Sequence, residues 1–268
     1  AKVLYSYPGI KVHAKMLLIL EREEPEGTKK KGVAFLCTGN FNEKTARIYA
    51  DHGLLTNNPD LVADTARVFD LLEGKTLLPR CKKVIVAPYN LRAELIRLIG
   101  AEISRSKEGG DAWLTLKMNS LEDPEIIQWL YEASRAGVRI NLIVRGICCL
   151  KAGVPGLSEN IIAISIVDRF LEHARIYVFA NGGYPLIYLS SADCMTRNLD
   201  RRVEIAWPVE TPELREELLK SLELQLSDNC KARIQDPKQQ NHYREKAESD
   251  AEIRAQTNYY HYLRQKLI

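Results

Sequence analysis

Short apolar runs and amphipathic stretches of helical period alternate along the chain. Val12 to Leu20 and Gly32 to Thr38 are apolar runs on either side of the charged segment 21–31, whose Pro25 and Gly27 suit a turn. The pattern there predicts a β-hairpin with a solvated tip. Asn58-Pro59 opens a helix with apolar positions Leu61, Val62, Ala66, Phe69 and Leu72, and Gly74 stands just beyond its end. Val84 to Ala87 predicts a strand, and Asn90 is placed to cap a helix whose apolar stripe is Leu91, Leu95, Ile96 and Ile99. Residues 115–119 and 138–144 predict two further strands, separated by a helix that Asp123-Pro124 opens and Gly137 closes. Strand and helix signals in alternation mean an α/β architecture. A boundary between two lobes is expected at residues 75–84. From Thr211-Pro212 onward the pattern is helical and strongly charged, which predicts a solvated helical C-terminal region.

Composition narrows this picture mainly by exclusion. A chain of 268 residues suits two lobes of similar size or one large one. With 46% hydrophobic and 27% charged residues it is neither collagen-like, coiled-coil nor disordered. Lys+Arg 38 against Asp+Glu 35 leaves a formal charge of +3, too balanced for bulk attraction to nucleic acid or an acidic membrane. Any polyanion site is therefore local. No run of 18 apolar residues and no signal-peptide pattern appears, so nothing is expected to span a membrane or direct secretion. The six cysteines lack a C-x-x-C pair and Cys/His ligand spacing, and Cys37, Cys148 and Cys149 lie in apolar runs typical of buried thiols, which suits a reducing cytosol. The chain starts at Ala1 and is strongly patterned within a dozen residues, which reads as the C-terminal part of a longer chain.

An internal repeat carries the candidate chemistry. His13-Ala14-Lys15 followed by an apolar run recurs as His173-Ala174-Arg175 followed by another, and residues two apart on a strand share a face. Downstream, FLCTGNFN at 35–42 and YLSSADCM at 188–195 superimpose Gly39-Asn40 on Ala192-Asp193. Counting nine further pairs Tyr49 with Arg202, and counting eleven pairs Asp51 with Glu204. A neutral imidazole is nucleophilic near pH 7, and an adjacent cation neutralises charge on a phosphoryl group in transfer. Two such units let one histidine attack while the other moves a proton. Of the remaining histidines, His52 lies near the first turn and suits a supporting place, whereas His242 and His261 suit solvated helix faces. No G-x-x-x-x-G-K-[ST] is present, so phosphate must be held by side chains.

The paired His-x-Lys/Arg units resemble the phospholipase D superfamily, and the strings KVHAKM, TGNFNEKTARIYADHGLLT, INLIVRGICC, ISIVDRFLEHARIYVF and LSSADCMTRNLDRRVE resemble its bacterial polyphosphate kinase branch. The resemblance implies two phospholipase D-like lobes, each a mixed β-sheet flanked by helices: the C-terminal part of a first catalytic lobe over 1–83, and a second lobe with terminal helices over 84–268. It implies reversible transfer of the terminal phosphate of ATP to inorganic polyphosphate, through a phosphohistidine and with Mg²⁺. His13 matches the phosphorylated position, and His173 the position opposite, which contacts nucleotide phosphates and acts as acid or base. Tyr49, Arg145 and Arg202 match positions on the phosphate path, where a hydroxyl and guanidinium forks suit phosphate oxygens. Lys15, Arg175, Asn40 and Asp193 are further candidates. A cytoplasmic homo-oligomer with a pool loosely associated with membrane is also implied, with ATP, ADP and polyphosphate as partners and no nucleic acid. Leu20 and Ala180 stand where phospholipase D places Asp, which disfavours lipid hydrolysis, and Cys194 stands where the kinases carry tryptophan. The family's arginine-bearing segments associated with Mg²⁺ do not appear, so the metal ligands are unknown. A phospholipase D-like phosphodiesterase and a non-catalytic polyanion-binding fragment are the alternatives.

Overall fold

The computed structural model describes residues 3, 10–21 and 31–266, and the turn expected at Pro25 and Gly27 lies outside the described residues. In chain order the elements are β1 (Lys11–Val12), β2 (Lys15–Leu20), β3 (Gly32–Cys37), α1 (Glu43–Ala46), β4 (Tyr49–Ala50), β5 (Gly53–Thr56), α2 (Pro59–Leu72), β6 (Ile85–Ala87) and α3 (Leu91–Lys107). They continue as β7 (Trp113–Met118), α4 (Pro124–Arg135), β8 (Arg139–Val144), β9 (Ile161–Ile166), β10 (Leu171–Glu172), β11 (Arg175–Phe179), β12 (Leu186–Ser190), α5 (Thr196–Arg201), β13 (Arg202–Pro208), α6 (Pro212–Ser227), β14 (Ala232–Ile234) and α7 (Ala255–Lys266).

Local chemistry sets the helix ends. Asn58 accepts hydrogen bonds from the backbone of Asp60 and Leu61 to cap α2, Pro59 supplies a preset φ, and Gly74 follows at φ +75°. Asp123 caps α4 through Ile126 N, and Gly137 closes it at φ +90°. Asn90 precedes α3 but does not cap it: its Oδ1 accepts from Val86 N behind the helix. Behind α2, the buried carboxylate of Asp64 collects the backbone N–H groups of Lys82, Lys83 and Val84, fastening the segment that leads into β6.

A mixed sheet runs in the order β1-β13-β12-β11-β7-β8-β9-β14, and β6 also pairs with β13, off that path. Its strands alternate faces. Leu114, Leu116, Met118, Tyr177 and Phe179 pack under Leu95, Leu98 and Ile99 of α3 and Ile126 and Leu130 of α4. Ile176, Val178, Ile205 and Trp207 point to the opposite layer, with Leu61 and Val68 of α2 and Leu218 and Leu222 of α6. Each fully buried aliphatic side chain of this kind contributes about 1.5–3 kcal/mol by leaving water, so both layers are needed to hold the sheet. β2, β3 and β5 form a separate antiparallel sheet, and β4 and β10 pair alone in parallel. The expected helical C-terminal region is α6 and α7, but β14 and irregular chain lie between them, because Asp228 turns the backbone after α6 by accepting from Cys230, Lys231 and Ala232 N. Exposed His242 belongs to that irregular stretch rather than to a helix, while His261 is exposed on α7. Of the three thiols expected to be buried, Cys149 is exposed and Cys37 and Cys148 are half-buried. No helix among the described residues is long and apolar enough to cross a membrane.

Candidate active site

The two histidine units meet by exchanging strands. β1, which leads into His13, pairs in parallel with the start of β13 from the other repeat, Lys11 opposite Arg202 and Val12 opposite Val203. β10, which leads into His173, pairs in parallel with β4, Leu171 opposite Tyr49 and Glu172 opposite Ala50. The backbone contacts match. His13 N and Ala14 N donate to Val203 O at 2.9 and 3.0 Å, and His173 N and Ala174 N both donate to Ala50 O at 3.0 Å.

Each crossing delivers a carboxylate to the other repeat's ring. His13 Nδ1 lies 2.9 Å from Glu204 Oε2, and His173 Nδ1 lies 2.8 and 3.0 Å from the two oxygens of Asp51. Behind the carboxylates the symmetry holds again: the Thr38 hydroxyl donates to Asp51 at 2.7 Å and the Ser191 hydroxyl to Glu204 at 2.5 Å. Occupying Nδ1 in this way orients each ring and directs the reactive lone pair to Nε2. Burial pushes the His173 imidazole below its ordinary value, and the Arg175 and Lys15 cations add to that against the pull of Asp51. Burial pushes the Asp51 carboxyl up, but the hydrogen bond and charge of His173, with the Thr38 hydroxyl and the Arg175 charge, together hold the group below the usual carboxylate range. The ring of His173 also rests on that of Tyr49, centroids 4.7 Å apart.

The cations differ between the copies. Arg175 is buried against Asp193, with Nε and Nη2 at 3.1 and 3.0 Å from its oxygens, and Nη1 donates to His173 O. Asp193 also accepts from Asn119 N at 2.7 Å, so this candidate pair is committed to structure. The equivalent Lys15 is buried, its Nζ has no hydrogen-bond partner among the described residues, and Asn40, at the place of Asp193, is exposed. Desolvation lowers Lys15 to about 8. Its ammonium feels Glu204 and Arg202 as well as Asp51 and Arg175, so charges from both units act on it.

Arg202 lies 3.9 Å from Glu204. Arg145, at the end of β8, spends Nε on Asn119 Oδ1 and on Glu172 O, and Nη2 on Asn119 Oδ1, so much of its fork faces protein. His52 donates its backbone N–H to Thr38 Oγ1, and its ring is driven to about 4 by burial and by nearby Lys117. It is uncharged near neutrality. Cys194 is buried beneath the site, its carbonyl accepting from Glu122 and Asp123 N. Asp51 and Glu204 were visible in the sequence as repeat partners, yet their bond to the opposite histidine was not, since nothing in the spacing reveals the crossing. Asn119, Lys117 and Glu172 lie outside the repeat and left no signal.

Residues 84–256 match the family model described as polyphosphate kinase C-terminal domain 2, and residues 1–77 match polyphosphate kinase C-terminal domain 1. A polyphosphate kinase of Staphylococcus saprophyticus is 49% identical over 241 residues, which is 90% of this chain and 33% of that protein. Polyphosphate kinase 1 of Chlorobaculum tepidum is 49% identical over 232 residues, 87% of this chain and 33% of its own. The crystal structure of polyphosphate kinase from Porphyromonas gingivalis superposes with a TM-score of 0.94 at 47% identity, covering 98% of this chain and 40% of that one. The chain thus spans about a third of the length of these curated relatives.

Proposed function

The chain belongs to the polyphosphate kinase family, and from that premise we propose that its cleft moves the terminal phosphate of ATP reversibly onto inorganic polyphosphate through a phosphohistidine on His13. The observation that carries this reading is the crossed pair of histidines, each held at Nδ1 by the other repeat's carboxylate and sharing one unpaired ammonium. Glu204 accepts from Nδ1–H of His13, and Nε2 attacks the terminal phosphorus. The N–P bond forms as the bond to the bridging oxygen breaks, and ADP leaves with that electron pair. In the second half the terminal oxygen of polyphosphate attacks the same phosphorus, the N–P pair returns to Nε2, and His173 takes the proton of the attacking hydroxyl. The depressed imidazole of His173 suits this, because its neutral form is the one that accepts. Lys15 neutralises charge on the group in flight, and Tyr49, Arg145 and Arg202 line the phosphate path.

Mg²⁺, implied by the family, finds no cage here. Among the described residues no group of three or more His, Cys, Asp or Glu side chains is arranged for a metal, and Asp51, Glu204 and Asp193 are each committed to histidine or arginine. Division of the chain into the end of a first lobe, 1–83, and a second lobe, 84–268, belongs to the same proposal, as do a homo-oligomeric state and a cytoplasmic location.

The test is covalent labelling of the whole protein. γ-labelled ATP is expected to leave acid-labile, base-stable label on His13, and His13→Ala is expected to abolish both label and turnover. An unlabelled wild type with His13→Ala equally active defeats the reading. Product released from a phosphodiester without ATP would instead identify a phosphodiesterase, and polyphosphate retained with neither chemistry a binding module.

A further inference from the structure

The strand that carries His173 is two residues long and has a partner on one edge. Leu171 N donates to Ile48 O and His173 N to Ala50 O, so the odd positions of β10 face β4. Phe170 and Glu172 therefore turn their main-chain groups to the opposite edge, where the chain places side chains in place of a strand. Gln256, on the first turn of α7, supplies most of that substitute. Its Oε1 accepts from Phe170 N at 3.1 Å, and its Nε2 donates to Phe170 O at 2.8 Å and to Glu172 Oε1 at 2.8 Å. Arg145 Nε donates to Glu172 O at 2.9 Å. Below, the Glu172 carboxylate pairs with Lys117, both buried. The helix itself is pinned. Asp228 accepts from Ala255 N at 2.7 Å, and Arg254 grips Asp168 with Nε at 2.8 Å and Nη2 at 2.5 Å.

We propose that Gln256 is a positioning residue for His173: its amide completes the free edge of β10 and so fixes the backbone from which the ring reaches Asp51. The inference rests on His173 serving as the proton-transfer group. His13 hangs from β13 and Glu204, which among the described residues make no hydrogen bond to α7. The C-terminal helix therefore acts on the second histidine alone, and on the step that moves the proton.

Gln256→Met keeps the length of the side chain and removes its amide; Gln256→Glu keeps an acceptor for Phe170 N but sets a second carboxylate against Glu172. In the whole protein, ¹⁵N-imidazole spectra followed through pH read His173 and His13 separately, with Asp51, Arg175, Lys15 and the Tyr49 ring facing His173 in every variant. Both substitutions are expected to shift the titration and Nδ1–H signal of His173 and to leave His13 unmoved. Polyphosphate synthesis should slow by about ten- to a hundredfold, with KM for ATP within about twofold of wild type and His13 still labelled by ATP in a single turnover. Arg264→Ala, on the exposed side of α7, should change none of these. An unmoved His173 titration in both variants, or His13 labelling lost in step with turnover, overturns the proposal. An unlabelled His13 in wild type defeats the phosphohistidine reading instead, and the titration then decides Gln256 by itself.

Discussion

Lys15 and Arg175 stand two residues after their histidines, yet among the described residues only Arg175 has an ion-pair partner, because its repeat carries Asp193 where the first carries Asn40. One carboxylate therefore separates an ion-paired cation from a buried one with no hydrogen-bond partner among the described residues. Desolvation leaves the Lys15 ammonium at about 8, so it loses its charge as pH rises through that value. Polyphosphate affinity is expected to fall above pH 8, and Lys15→Arg to remove that fall. Stability without ligand moves the other way: between about 8 and the ordinary 10.5 the unfolded chain holds a proton that the folded chain has released, so the fold gains stability with rising pH. Affinity measurements and urea titrations on either side of pH 8 check both signs. The H-A-K and H-A-R triplets were legible, and so was the Asn40 and Asp193 correspondence. That Asp193 would pair with Arg175 was not, since its geometry depends on Asn119, just beyond the end of β7.

Long elements with caps were readable because each carries its own signals: Asn58-Pro59 and Gly74 for α2, Asp123-Pro124 and Gly137 for α4. The elements that build the site were not. β1, β4 and β10 are two residues each, too short for any period, and exist only because a partner strand from the other repeat lies beside them. Likewise Lys117 and Glu172 sit in an apolar strand and an ambiguous one, and meet only in the folded chain. Glu172→Gln leaves the Lys117 charge buried and unpaired and is expected to cost about 3–5 kcal/mol in urea unfolding. The double change Lys117→Met with Glu172→Leu should recover most of that, while still removing Gln256's partner; full stability in Glu172→Gln alone would contradict the pair. Lys117 holds the Glu172 carboxyl below its usual range despite burial, so this contribution is present above the ordinary carboxylate pKa and is lost as pH falls through the folded one.

Across the whole chain the formal charge is only +3, so the net field gives little attraction for a polyanion, and on the proposed function the attraction would come from local cations such as Lys15 and Arg202. Polyphosphate binding is expected to weaken by at least about tenfold over a tenfold rise in salt, while the melting temperature barely moves. Lys15→Met should flatten that dependence, and salt-independent binding would place the polymer elsewhere. The strand exchange also makes the site a joint property of both repeats: Glu204 serves His13 and Asp51 serves His173, so neither repeat contains a complete histidine–carboxylate pair.

Sequence alone determined the α/β class, the capped helices, the duplicated histidine units and the chemistry those residue types allow, because periodicity, capping and residue identity are local properties of a chain. Tertiary structure decided which carboxylate orients which ring, which of two equivalent cations has an ion-pair partner, and that Gln256 on α7 hydrogen-bonds the strand that precedes the second histidine. Those are distances between residues far apart in the chain, some set by parallel pairing of two-residue strands, and no local pattern encodes them.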